Sequence, residues 1–159
     1  KKIISLLIFK KVFLILLALQ IFTILNPKIT HSTIIEVRYS ETDSMSYTHH
    51  SNYLKFYEIG RLSWFKNIGF SYKKLEETGV IMPVVDAKIK YRKPSFFEDE
   101  LKIQTTLISK PNKFIEFEYV VYKDSEVINE GYTKLVFLDR NSKKPIRCPK
   151  NLLDVFNNW

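Results

Sequence analysis

The sequence predicts an α+β domain in which an antiparallel sheet of about five strands surrounds one long helix. Three observations carry that expectation. Thr33 to Tyr39 is β-branched and alternating, which is the period of a strand. Tyr53 to Asn67 follows without a proline and carries Tyr53, Phe56, Tyr57, Ile59, Leu62, Trp64 and Phe65 on more than one helical face, so this helix should be wrapped by other structure. Val80 to Arg92, Glu100 to Ser109, Phe114 to Lys123 and Val127 to Leu138 are long, mostly alternating, and rich in Val, Ile, Thr, Phe and Tyr.

The remaining elements are fixed by local chemistry. Ser51 and Asn52 can cap the long helix, and Gly60 within it should mark a close backbone approach. Ser71 to Thr78 reads as a short amphipathic turn that stops at Gly79. Lys110-Pro111-Asn112-Lys113 and Lys123-Asp124-Ser125-Glu126 are hairpin-length links, which makes the strands on either side antiparallel neighbours. Leu152 to Phe156 should close the chain as a short helix. One strand, one long helix and four antiparallel strands is the element order of the hotdog fold.

Bulk properties set limits on function. The chain has 159 residues, 45% of them hydrophobic and 14% aromatic, enough for one packed core. Of the formal charge of +8, five charges lie on Lys1, Lys2, Lys10, Lys11 and Lys28, which leaves +3 for residues 29–159 and no nucleic-acid footprint there. Cys148 is the single cysteine, so a disulfide framework and a cysteine-rich zinc site are both excluded. In its basic Arg147-Cys148-Pro149 setting it reads as a surface or half-buried thiol, not a nucleophile.

Residues 1–27 stand apart from the domain expected over 28–159. An uncharged run from Val12 to Leu25 follows lysines, short for a membrane span. An anchor with membrane contact through residues 3–25, a degenerate signal, and upstream sequence joined to a cytoplasmic domain are the readings open for it.

The informative stretch is Tyr39-Ser40-Glu41-Thr42-Asp43, then His49-His50-Ser51-Asn52-Tyr53, then Leu54 to Arg61. Together with Tyr91-Arg92-Lys93-Pro94 and Asp99-Glu100-Leu101, it resembles the 4-hydroxybenzoyl-CoA thioesterase and YbgC-like branch of hotdog enzymes over roughly residues 32–156. The resemblance implies hydrolysis of an acyl-CoA or related carrier thioester. It implies Asp43 as general base or nucleophile, His50 as the residue that positions substrate or shuttles a proton, and Tyr39 as the group that orients the aspartate or the thioester. It also implies a homodimer or homotetramer in which sheets join edge to edge and the site lies at the seam.

Physical chemistry agrees with the assignment. Thioester hydrolysis needs a group that activates water or attacks the carbonyl, and donors for the oxyanion. Asp43 can supply the first; backbone N–H groups of Ser51, Asn52 and Tyr53, at the positive end of the helix, can supply the second. The CoA phosphates should find Arg92 and Lys93, or Arg140, Lys143, Lys144 and Arg147. Glu58 should pair with Arg61 three residues on. Adjacent His49 and His50 cannot easily face one ion, so no metal and no cofactor are expected. Relatives commonly have glycine three residues after the aspartate, where this chain has Ser46. That departure keeps open a second function, a non-catalytic acyl-thioester-binding or membrane-tethered module.

Overall fold

A computed structural model describes residues 30–156. The apolar segment 1–27, with the membrane contact considered for residues 3–25, lies outside the described residues. Among the described residues no helix is long and apolar enough to cross a membrane.

Strands β1 (Thr30–Glu36), β3 (Val84–Tyr91), β4 (Glu100–Leu107), β5 (Phe114–Lys123) and β6 (Glu126–Val136) form an antiparallel sheet in the order β1-β4-β5-β6-β3. Helix α1 (Asn52–Asn67) lies against β1 and β4. A second sheet pairs β2 (Val80–Ile81) with β7 (Leu138–Asp139). Short helices α2 (Tyr72–Glu77) and α3 (Lys150–Leu153) and a final turn at Asp154–Phe156 complete the chain.

Several expected boundaries move for identifiable reasons. β1 includes Thr30 to Ser32, ahead of the expected Thr33, in a register with β4 that runs from Thr30↔Thr106 to Glu36↔Glu100. It stops before Tyr39 because Glu41 takes the Arg38 N–H at 2.9 Å and turns Tyr39–Glu41 into a 3-10 helix. The segment from Val80 to Arg92 is two strands, since Pro83 has no N–H to continue a ladder. The Lys123–Glu126 link is a tight hairpin with Asp124 and Ser125 at φ 48° and 68°, the left-handed pair that such a turn uses. Ser71 caps α2 by accepting from the Lys74 N–H at 3.2 Å. Ser51 precedes α1 but makes no side-chain cap bond to it.

The core lies between the helix and the sheet. Trp64 packs edge-on against Phe65 and Phe117, and Tyr57 stacks on Tyr119 with centroids 4.3 Å apart. Arg61 is buried beneath them and donates to the Tyr119 hydroxyl at 3.1 Å; it forms no ion pair with Glu58 among the described residues. The sheet covers one side of α1 only, so Leu54 and Ile59 stay exposed where the sequence suggested a helix wrapped all round. Cys148 is buried, and loss of solvent pushes its thiol up to about 12.

Two glycines set how close the layers come. A Cβ on Gly60 would stand 2.5 Å from Thr105 Oγ1, the close approach its place in the helix suggested. A Cβ on Gly131 would stand 2.2 Å from Tyr57 Cζ and 2.3 Å from its hydroxyl oxygen, in a ring that is buried and held by its stack on Tyr119. Gly131→Ala is therefore expected to destabilise the protein by about 3 kcal/mol, as core overpacking does. Urea unfolding measures this, and an unchanged midpoint would contradict it.

Candidate active site

Asp43 sits in a small hairpin. Thr42 bridges Thr48, the Asp43 N–H donates to the Tyr47 carbonyl at 2.9 Å, and the Ser46 N–H donates to the Asp43 carbonyl at 2.9 Å. Its Oδ1 accepts from the Met45 N–H at 2.8 Å and from the Tyr47 N–H at 3.3 Å. Oδ2 has no partner among the described residues. One oxygen thus does what turn aspartates usually do, and the other is free for a substrate or water.

Ser46 has φ 65°, the left-handed conformation in which glycine is unstrained. Serine therefore leaves the loop path that a glycine would follow intact, at a local conformational cost of about 1–2 kcal/mol. Ser46→Gly is expected to keep at least wild-type kcat. Ser46→Val, branched at Cβ, should lower kcat about tenfold with a matching fall in loop protection from hydrogen exchange. Equal kcat for both variants would mean that the loop path does not matter.

The hairpin is clamped to the start of α1. Glu41 is buried and its carboxylate accepts from Arg38 Nη2 at 2.5 Å and Nε at 3.1 Å. Burial alone would raise its pKa; the hydrogen bonds and charge of Arg38 outweigh that and hold it below the usual carboxylate range. The Glu41 carbonyl accepts from both the His49 N–H and Asn52 Nδ2, each at 2.8 Å. Asn52 is thus a staple between loop and helix.

Beside the hairpin is a cleft of about 280 Å³, lined by Thr48, His50, Tyr53, Tyr91, Arg92 and Lys93 among others. Tyr91 donates from its hydroxyl to the His50 carbonyl at 3.0 Å and meets the Tyr53 ring edge-on. The His50 and Tyr53 N–H groups meet no acceptor among the described residues. The Ser51 N–H is held by His49 Nδ1 at 3.4 Å and the Asn52 N–H by the His49 carbonyl at 2.9 Å. His49 is half-buried and bonds Ser51 Oγ at 2.8 Å, while His50 is exposed.

The candidate residues divide into three groups. His50, Tyr53, Arg92 and Lys93 share the cleft, with Asp43 one hairpin pair away through Tyr47, which also lines it. Tyr39 is 78% exposed and turns its ring against Phe97, away from the cleft. Arg140, Lys143, Lys144 and Arg147 are exposed in the loop after β7, which joins the Gly79 carbonyl through the Arg140 N–H at 2.7 Å. That places them beyond the Val84 end of β3, roughly 23 Å along the strand from Tyr91. Arg92 pairs with Glu130 at 2.7 Å and Lys93 with Glu126; both pairs are exposed, so a phosphate can displace either carboxylate at little cost.

Sequence reasoning missed Thr48, Ser95 and the Arg38–Glu41 clamp. The clamp has a local signal, a carboxylate three residues after the residue whose N–H it takes, as in a capping box. Thr48 and Ser95 meet only through tertiary structure, 47 residues apart in the chain.

Comparison with known proteins identifies the family. A family model described as the Thioesterase-like superfamily matches residues 37–156. YneP of Bacillus subtilis (strain 168), assigned as an acyl-CoA thioesterase, is 35% identical over 126 residues, covering 79% of this chain and 88% of that one. The acyl-CoA thioesterase YbgC of Haemophilus influenzae is 24% identical over 124 residues, 77% of this chain and 91% of that one. The DHNA-CoA thioesterase structure from Staphylococcus aureus superposes with a TM-score of 0.78 at 29% identity, covering 81% of this chain and 89% of that one. The hotdog order of elements and the family match over nearly all described residues agree, and the chain belongs to the Thioesterase-like superfamily.

Proposed function

We propose that the protein hydrolyses an acyl-CoA, or a related carrier thioester, to a free acid and a thiol. The observation that carries the reading is the state of Asp43: loop amides hold Oδ1 while Oδ2 has no partner among the described residues, and Asp43 pairs with Tyr47, which lines a cleft whose His50 and Tyr53 N–H groups are also unused among them. The thioester carbonyl would accept from those amides, where the helix dipole favours developing negative charge. Asp43 would take a proton from attacking water, or attack the carbonyl itself and form an anhydride that water opens. Either route ends in a carboxylic acid and CoA thiol. Such a substrate suits a cytoplasmic enzyme formed by residues 28–159. Thiol titration over a panel of acyl-CoA esters tests the reading; release from none of them would leave the chain an acyl-binding module.

The working unit is a two-fold dimer joined at β3. Among the described residues this strand pairs only with β6, and its Val84 and Val85 are 46% and 54% exposed on an open edge. Antiparallel pairing of two β3 edges sets the Val84 end of one copy beside the Tyr91 end of the other. The loop bearing Arg140, Lys143, Lys144 and Arg147 would then reach the partner's cleft and join Arg92 and Lys93 at the CoA phosphates.

A further inference from the structure

The turn that opens α1 is tied down peptide by peptide. The His49 N–H donates to the Glu41 carbonyl at 2.8 Å, and the Asn52 N–H closes the turn onto the His49 carbonyl at 2.9 Å. Between them lies the His50–Ser51 peptide. Its carbonyl accepts from the Tyr91 hydroxyl at 3.0 Å, and its N–H meets His49 Nδ1 at 3.4 Å, beyond the usual range for such a bond. Tyr91 thus makes the shorter bond to this peptide, from a strand on the far side of the cleft.

The hydroxyl is well anchored. Tyr91 ends β3 in register with Asn129, and the Arg92 and Lys93 N–H groups that follow both donate to the Ile128 carbonyl, at 2.9 and 3.1 Å. Its ring meets the Tyr53 ring edge-on with centroids 5.4 Å apart. Desolvation raises the Tyr91 pKa, so the hydroxyl keeps the proton that the carbonyl accepts.

The direction of this peptide bears on the reaction. Ser51 has φ −67° and ψ −21°, so the peptide lies as in the first turn of a helix, N–H toward the start and carbonyl toward the body. A peptide is planar, so its two ends swing together. A flip would reverse a dipole of about 3.5 D and set a carbonyl oxygen where negative charge develops on the substrate. The flipped turn needs a positive φ at residue 51, a strain that the neighbouring loop already bears at Ser46 with φ 65°. We propose that Tyr91 is a positioning residue, whose hydroxyl pins the His50–Ser51 peptide so that the opening turn of α1 presents N–H groups, and no carbonyl, to the thioester oxygen.

The inference rests on the thioesterase reading, and Tyr91→Phe separates the two because it removes the hydroxyl and keeps the ring. Tyr91 is 49% exposed, so the variant should fold. With acyl-CoA esters kcat should fall about tenfold, the worth of one hydrogen bond, while KM stays within about twofold of wild type. Affinity for a CoA thioether carrying a hydrated trifluoromethyl ketone, a mimic of the tetrahedral intermediate, should fall about as far, whereas that for a plain alkyl thioether should hold. Amide NMR relaxation should show His50 and Ser51 rigid in the wild type and mobile in the variant. Unchanged kcat, equal weakening of both thioethers, or unchanged relaxation overturns the proposal. No thiol release from the wild type refutes hydrolysis, and relaxation then decides by itself whether Tyr91 holds the turn.

Discussion

Asp43→Asn is expected to lower kcat about a hundredfold or more while the fold and substrate binding persist. The amide keeps an oxygen at Oδ1 for the Met45 and Tyr47 N–H groups, so the hairpin should close as before. At Oδ2 it places an NH2 group, which can neither take a proton nor attack a carbonyl. The loss should fall on kcat, because what is removed acts on the reacting bond and not on the CoA moiety. Steady-state kinetics with a matched thermal melt decides it. A kcat within a fewfold of wild type would end the assignment of Asp43 to the chemistry.

Dilution should have the second large effect. If each cleft needs the partner's 140–147 loop, activity per chain falls at least tenfold once the concentration drops well below the dimer constant, and added protein restores it. Sedimentation over the same range should show the change from dimer to monomer at the same concentration. The exposed apolar residues fit this expectation: Leu54 and Ile59 on α1 and Val84 and Val85 on β3 are uncovered in one copy. A monomer with full activity would refute the shared cleft and return the 140–147 lysines and arginines to the role of solvated loop.

The elements were legible in the sequence where period and turn chemistry agreed. β5 is found at the expected residues because Phe114 to Lys123 alternates and both of its links are short. The 3-10 turn at Tyr39–Glu41 was not legible, because Arg38 and Tyr39 continue the alternation and only the Glu41 carboxylate bends the chain. Gly131 could be seen as a residue but not as a contact, since Tyr57 lies far from it in the chain. Within the candidate site, Asp43 and His50 are singled out by the motif, and the hairpin leaves Asp43 Oδ2 without a partner among the described residues. The cleft wall was harder. Tyr91 reaches the His50 carbonyl across 41 residues, and Ser95 collects Thr48 and Tyr53 across 47 and 42, separations at which no local pattern exists. Helix α1 misled in the other direction: its apolar residues on several faces suggested burial all round, whereas one copy buries only the side that meets the sheet.

The most direct test is a crystal structure of the Asp43→Asn protein with an intact acyl-CoA bound. The expected result is a thioester carbonyl oxygen within hydrogen-bond distance of the His50 or Tyr53 N–H, residue 43 beside the carbonyl carbon, and the phosphates near Arg92 and Lys93. A thioester bound elsewhere, with nothing in the Thr48 to Lys93 cleft, would contradict the assignment of this site to hydrolysis.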